Sequence, residues 1–323
     1  METERMPGAN PAVPKAGRRM GDQPTFLGKV ARDKWLLLLA LPGIVYYILF
    51  RYLPMFGIII AFQDFSIKKG VFGSEFTGLK NILLFINNPS FFNIVKNTVV
   101  LGVLSVVITI PVAVVFALLL NEMKNKILRK LTQSITLIPY FIATVVVVGI
   151  TINLLAPESG LINRMIVALG GENISFIQET AWFRPIYIIT EVWQKNGWLV
   201  VVFIAAIMGI DLQLYEACSI DGGGRFKKLI YITLPSILPI IAVMFVLRIG
   251  QIMNLSFEKT LMLQNPLTYA ISDIIDTYIY RRGFIYGDIS YAAAVDVFKG
   301  AISLFFALST NYLSKKMTSR SVF

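Results

Sequence analysis

Histidine is absent from all 323 residues, and cysteine occurs once, at Cys218. The first absence removes His-based catalytic triads and His metal sites, and no Cys cluster stands in for them. The single cysteine excludes an intrachain disulfide. Charge is also scarce: 15% of residues are Asp, Glu, Lys or Arg, against about a quarter in soluble domains. No G-x-x-x-x-G-K-[ST] run occurs, and the basic, Gly-rich stretch 222–228 has the wrong spacing, so no P-loop is present. Residues 1–34 lack the apolar region of a cleavable signal peptide. Their Pro, Gly, Arg and Lys predict a disordered cytoplasmic tail.

What the chain has instead is apolar bulk: 56% hydrophobic residues and a mean hydropathy of +0.68. Such a surplus fits burial in lipid better than burial in one soluble core. A net charge of +11 raises nucleic acid as a partner. The basic residues, however, lie between and beyond the apolar runs, which is the pattern of membrane loops on the cytoplasmic side. Lipid, and not nucleic acid, is therefore the expected environment.

The pattern predicts an all-α, polytopic membrane protein with about six transmembrane helices. The first span covers about 35–53. A further apolar piece, 55–62, follows Arg51 and Pro54 and is too short to cross alone, so it reads as an extension or an interfacial element. The other spans fall at about 97–120, 131–155, 185–210, 230–255 and 292–312, with Pro111 and Pro139 inside the second and third. Proline is tolerated there when neighbours satisfy the freed carbonyl. Residues 63–92, 157–184 and 256–291 are polar connections. Six passes put both tails, 122–130 and 211–229 on one side. That side holds Lys124, Lys126, Arg129, Lys130, Arg225, Lys227, Lys228, Lys315, Lys316 and Arg320, which makes it cytoplasmic.

Polar residues at membrane depth face a partner or a cavity. The fourth span carries Glu191, Gln194, Lys195 and Asn196 beside Trp193 and Trp198. Glu191 and Lys195 have the spacing of a helical ion pair. The fifth carries Arg248, Gln251 and Asn254 as a polar stripe, and the sixth carries Asp296 and Lys299. One reading is self-satisfied ion pairs and helix–helix glue. The other is the lining of a sugar path, with Trp193 stacking on pyranose faces, amides bonding hydroxyls, and Lys195, Arg248 and Lys299 receiving uronate carboxylates.

The most informative loop runs 216–235: Glu216-Ala217-Cys218-Ser219-Ile220-Asp221-Gly222-Gly223, then Ile232-Thr233-Leu234-Pro235. Physically it is a short helix, a flexible turn and a second helix. Leu214, Ala217, Cys218 and Ile220 form a small, apolar face. Asp221 is placed to cap the next helix, Gly222 to Gly224 permit a sharp turn, and Pro235 bends or restarts the fifth span. On physics alone this is an amphipathic loop of a transport subunit, a secondary carrier or a membrane enzyme. No internal repeat of the kind many carriers show is visible, and no acid pair or nucleophile site for an enzyme is evident.

The loop resembles the EAA motif of ABC importer permeases: Glu-Ala-Ala, two residues, Asp-Gly, then Ile-x-Leu-Pro. Glu216, Ala217, Asp221, Gly222, Ile232, Leu234 and Pro235 match in order. Cys218 stands where Ala is typical and Gly223 where Ala is frequent. The resemblance implies a type I ABC importer permease fold with its core at 93–316, preceded by a first helix and external loop at 35–92 and followed by a cytoplasmic tail at 317–323. It implies that the 211–235 loop is a coupling helix docked on a cytoplasmic ATPase. No catalytic residue, metal or cofactor is expected on this chain; ATP and Mg belong to the partner. Two ATPase subunits, a second related permease, an extracytoplasmic solute-binding protein and the cytoplasmic membrane of a prokaryote are the implied surroundings. The binding protein's expected landing sites are 63–92, 157–184 and 256–291. Asp33-Lys34-Trp35, Leu41-Pro42-Gly43, Tyr52-Leu53-Pro54-Met55 and Ala61-Phe62-Gln63-Asp64 are similar to a branch that includes alginate- and rhamnogalacturonan-type importers.

Overall fold

The computed structural model describes residues 34–318, with side chains described through residue 312. The expected tails, 1–33 and 319–323, lie outside the described residues. The chain divides into two units at residue 56.

In the first unit, α1 (Lys34–Tyr47) continues through a π turn at Ile48–Tyr52 and a short helix, Leu53–Met55. None of these residues is buried. The apolar helical run extends as Lys34–Phe62, 29 residues. The piece at 55–62 is thus an extension of the first span, its last part a 3-10 stretch at Phe56–Phe62.

In the second unit, the connection at 63–92 is ordered structure. Strands β1 (Gln63–Asp64) and β2 (Glu75–Phe76) pair antiparallel, and α2 (Lys80–Ile86) follows. Phe85, on α2, is fully buried. Its ring meets Phe91, Tyr278 and Phe298 at 5.1, 5.8 and 5.4 Å. That aromatic cluster fixes the loop over the helix ends.

The frame is built on α3 (Phe91–Glu122) and α7 (Thr180–Met208), which pack along each other. Ala113 and Ala117 are fully buried and share one core cluster with Leu199 and Phe203. Small residues let such helix axes approach closely in lipid, where packing rather than water exclusion drives association.

The third span differs from the single helix expected at 131–155. Asn125 caps α4 (Lys126–Leu137) by accepting from the Ile127 and Leu128 amides at 3.0 and 3.1 Å. The residues read as a basic loop at 126–130 are therefore its first turns. A 3-10 turn, Ile138–Phe141, ends this half, and α5 (Thr144–Leu154) leaves at a bend of 103°. Pro139 removes an amide, and Ile142 is extended, so the helix cannot continue. Gln194 on α7 donates to the stranded Ile142 carbonyl at 3.1 Å. Gly197 lies so close to the Thr136 carbonyl that any Cβ there would collide with it.

Beyond α5 come a surface helix, α6 (Leu161–Ala168), then α7, α8 (Leu212–Ile220) and α9 (Arg225–Ile249). A π turn, Leu229–Thr233, interrupts α9, with the Leu234 amide bonded to the Leu229 carbonyl. It absorbs the missing amide of Pro235, so the helix continues instead of restarting. The expected fifth span at 230–255 stops early, at Ile249. The following segment folds into α10 (Phe257–Leu263), a turn at Tyr269–Ser272, α11 (Ile275–Tyr280) and a π turn at Arg281–Ile285. The last span is α12 (Ile289–Thr318). Among the described residues four helices are long and apolar enough to cross a membrane, and up to six spans result if each bent pair counts as one.

Candidate functional site

Three elements meet in a narrow polar cleft of about 40 Å³. Glu191 and Lys195 come from α7, Gly102 and Ser105 from α3, and Arg248, Gln251 and Asn254 from the end of α9 and beyond. Glu191 lies eleven residues, or roughly 16 Å, along α7 from its start. The carboxylate is 4% exposed, and Lys195 approaches it at 3.4 Å, the expected spacing of one helical turn. One carboxylate oxygen, Oε2, has no hydrogen-bond partner among the described residues.

Arg248, Gln251 and Asn254 do not form a helical stripe. After Gly250 the chain turns in 3-10 fashion, the Gln251 amide bonding the Arg248 carbonyl at 3.0 Å and the Asn254 amide the Gln251 carbonyl at 2.8 Å. Three residues per turn keep an i, i+3, i+6 series aligned, so all three side chains still reach the cleft. Gly102 makes the approach possible: a Cβ there would strike the Ile252 carbonyl.

Other residues singled out in the sequence go elsewhere. Trp193 faces a separate apolar groove of about 370 Å³ with Ile150, Leu154 and Ile189. Gln194 serves the helix break at Ile142. Asn196 is buried, with its side-chain oxygen unpartnered among the described residues. Asp296 is exposed, and Lys299 pairs with Asp276 of α11 at 2.5 Å, not with Asp296.

The 256–291 segment contributes groups that looked like loop charges in the sequence. Lys259 of α10 is fully buried; its ammonium donates to the Tyr187 carbonyl at 2.7 Å and lies 4.2 Å from that ring's centroid. Burial pushes this ammonium down to about 7, Lys195 adding to the effect and Glu191 opposing it. Asp273 pairs with Arg281, and Asn97 of α3 donates to the carbonyls of Ala270 and Asp273 at 3.1 and 3.3 Å. Arg184 of α7 donates to Asn97 at 3.2 Å. Their only signal in the sequence was a cluster of unlike charges in one connection, which does not say which charge is buried.

The 211–235 loop forms a compact unit. Asp211 caps α8, its carboxylate accepting from the Gln213 amide at 2.9 Å, and Gly224, not Asp221, takes the N-cap position of α9. Asp221 closes the other end of α8, because the turn reverses the chain before a new helix can begin. Gly222 takes φ +71, a conformation that favours glycine. The Gly223 amide returns to the Cys218 carbonyl at 2.7 Å, and a Cβ on Gly223 would collide with the Cys218 sulfur. Leu214, Glu216, Ala217 and Ile220 are exposed, Cys218 is half-buried, and Ile232 and Leu234 sit half-buried on α9 with Pro235 exposed. Two side-chain bonds bind α8 to α9. Lys228 donates to Ser219 at 2.6 Å, and the Tyr215 and Thr233 hydroxyls meet at 2.9 Å.

Residues 90–319 match the family of binding-protein-dependent transport system inner membrane components. The chain belongs to that family. It is a non-enzymatic permease subunit of an ABC importer, and ATP hydrolysis falls to a separate partner. The chain is 41% identical, over 97% of its length and 98% of the relative's, to the polygalacturonan/rhamnogalacturonan transport system permease protein YteP of Bacillus subtilis. It also resembles a chain of a bacterial ABC transporter involved in import of the acidic polysaccharide alginate. There the TM-score is 0.83 at 35% identity, covering 90% of this chain and 98% of that one. For an alginate ABC transporter in complex with an alginate pentasaccharide-bound periplasmic protein, the TM-score is 0.84 at 34% identity, with 92% and 99% covered.

Proposed function

We propose that this permease subunit forms half of the translocation pathway of an importer for complex, uronate-bearing oligo- or polysaccharides. The observation that carries the reading is the cleft. The Arg248 guanidinium has no hydrogen-bond or ion-pair partner among the described residues and stands in it with Gln251, Asn254 and Lys195. A guanidinium and amides at membrane depth suit a carboxylate and hydroxyls. A volume of about 40 Å³ is far below the ~300 Å³ of a ligand pocket. The cleft therefore supplies one wall, and a second, related permease supplies the facing one. Relatives named for polygalacturonan, rhamnogalacturonan and alginate support the substrate class.

In this reading two ATP-binding cassette subunits, which hold ATP and Mg, dock on α8. Glu216 makes polar contacts there, and the Lys228–Ser219 and Tyr215–Thr233 bonds pass the movement to α9. A solute-binding protein delivers sugar at 63–92, 157–184 and 256–291, and both termini are cytoplasmic. The deciding experiment compares uptake of acidic and neutral oligosaccharides by Arg248→Ala. Acidic uptake should drop about tenfold or more, the worth of a hydrogen bond to a charged group, while neutral uptake stays. Equal loss of both rejects charge recognition.

A further inference from the structure

A second cleft, of about 480 Å³, opens where α3 and α7 end. Arg129 of α4 and Arg225 and Lys228 of α9 line it, with Glu122 the one carboxylate. Lys228 is committed to Ser219 at 2.6 Å. The guanidinium groups of Arg129 and Arg225 have no hydrogen-bond or ion-pair partner among the described residues. Directly beside these cations lie Ile207, Met208 and Leu212. Met208 and Leu212 are 76% and 73% exposed.

We propose that this cleft binds the headgroup phosphate of an anionic phospholipid. The location is that of a bilayer surface. α3 and α7 have 32 and 29 residues, more than the ~20 needed to cross hydrocarbon, and their apolar runs stop at Leu120, before Asn121 and Glu122, and at Ile210, before Asp211, which places the bilayer surface there. The leaflet is the cytoplasmic one, which rests on the orientation proposed above, and that leaflet carries the anionic lipids. The mixed lining selects the occupant. An acidic side chain of a docked protein satisfies the guanidinium groups but leaves Met208 and Leu212 bare. A phospholipid places phosphate on Arg129 and Arg225 and its acyl chains along the apolar wall. A headgroup held there touches α4, the end of α7 and the 211–235 loop together, so its presence stiffens the link between α8 and the spans.

The test uses the full chain, purified with whatever subunits accompany it and reconstituted in phosphatidylcholine with or without phosphatidylglycerol. Native mass spectrometry of the wild type should show retained phosphatidylglycerol. Arg129→Gln and Arg225→Gln should each weaken retention about fivefold, the worth of one basic residue at an anionic surface, ~1 kcal/mol. Arg129→Lys with Arg225→Lys should keep most of it. If Arg129→Gln does not fold, Arg225→Gln carries the test, because Arg225 is exposed. Equal retention in wild type and variants overturns the proposal. So does loss of a companion protein subunit with lipid retained, which makes the cleft a protein contact. Displacement of phosphatidylglycerol by inorganic phosphate at equal concentration overturns the lipid assignment in favour of free phosphate. An unchanged substrate range alongside lipid loss separates this site from the sugar cleft. A failed sugar assignment with lipid still retained leaves the lipid site standing.

Discussion

The Lys259 ammonium ends on the backbone carbonyl of Tyr187, 2.7 Å away and closed off from solvent. Glu191, one turn further along α7, opposes its loss of charge, and its nearer partner is Lys195 at 3.4 Å. A short helix from the 256–291 connection is thereby pinned to the helix that lines the cleft.

Stability should follow the protonation of Lys259. Its pKa falls from 10.5 to about 7 on folding, so between those values the unfolded chain binds the proton more tightly. Raising the pH through that window stabilises the native state, and the gain is lost as pH falls through about 7. The melting temperature of the detergent-solubilised wild type should rise across the window relative to Lys259→Met. A difference between the two that stays flat with pH refutes a neutral, buried Lys259.

Gly197→Ala should destabilise the protein by ~1–3 kcal/mol, because its methyl group must displace the Thr136 carbonyl. Gly149→Ala, in open space on α5, should change stability by less than ~0.5 kcal/mol. Thermal unfolding of the two variants side by side checks the close approach at the helix break.

Gly222→Val places a β-branched side chain at φ +71, a strain of ~1–2 kcal/mol, at the end of α8. Uptake should fall while the subunit remains in the membrane and ATP hydrolysis by the assembly continues. Wild-type coupling of hydrolysis to uptake in this variant removes the turn from the proposed mechanism.

Cutting the two ties between α8 and α9 should show cooperation. Ser219→Ala and Tyr215→Phe each remove one bond, worth ~0.5–1.5 kcal/mol. If both ties transmit the same movement, the double variant should lose more uptake per ATP than the product of the single losses. Purely multiplicative losses mean the ties act independently.

Topology has its own test. In a Cys218→Ser background, an impermeant thiol reagent added to intact cells should label Phe72→Cys but not Lys227→Cys. Phe72 is fully exposed in the turn before β2. Labelling of the second position reverses the orientation.

Most spans were legible because lipid imposes one rule, apolar length, and the chain obeys it at α1, α3, α9 and α12. The Glu191–Lys195 pair was legible because four-residue spacing is a local property of a helix. The break in the third span was not. Pro139 signals a possible bend, but whether the helix kinks or stops depends on Gln194 and Gly197, over fifty residues away. Lys299 likewise had Asp296 nearby in sequence, yet its partner Asp276 comes from a connection that read as polar loop. The cap of α9 was misplaced for a related reason: Asp221 is chemically able, but the turn through Gly222 leaves it at the end of α8, and Gly224 takes the N-cap position instead.

The first helix has a consequence for how the protein is made. The run Lys34–Phe62 is long and apolar enough to span a bilayer by itself, so apolar length alone suffices to make this segment a membrane anchor. It can leave the translocation machinery as soon as it emerges from the ribosome. The α3–α7 pair, and the half-helices α4 and α5 that lean on α7, must wait for later residues: the Ile142 carbonyl for Gln194, and Asn97 for the carbonyls of Ala270 and Asp273. Biogenesis is therefore staged, with one early, self-sufficient insertion followed by the collective closure of the rest.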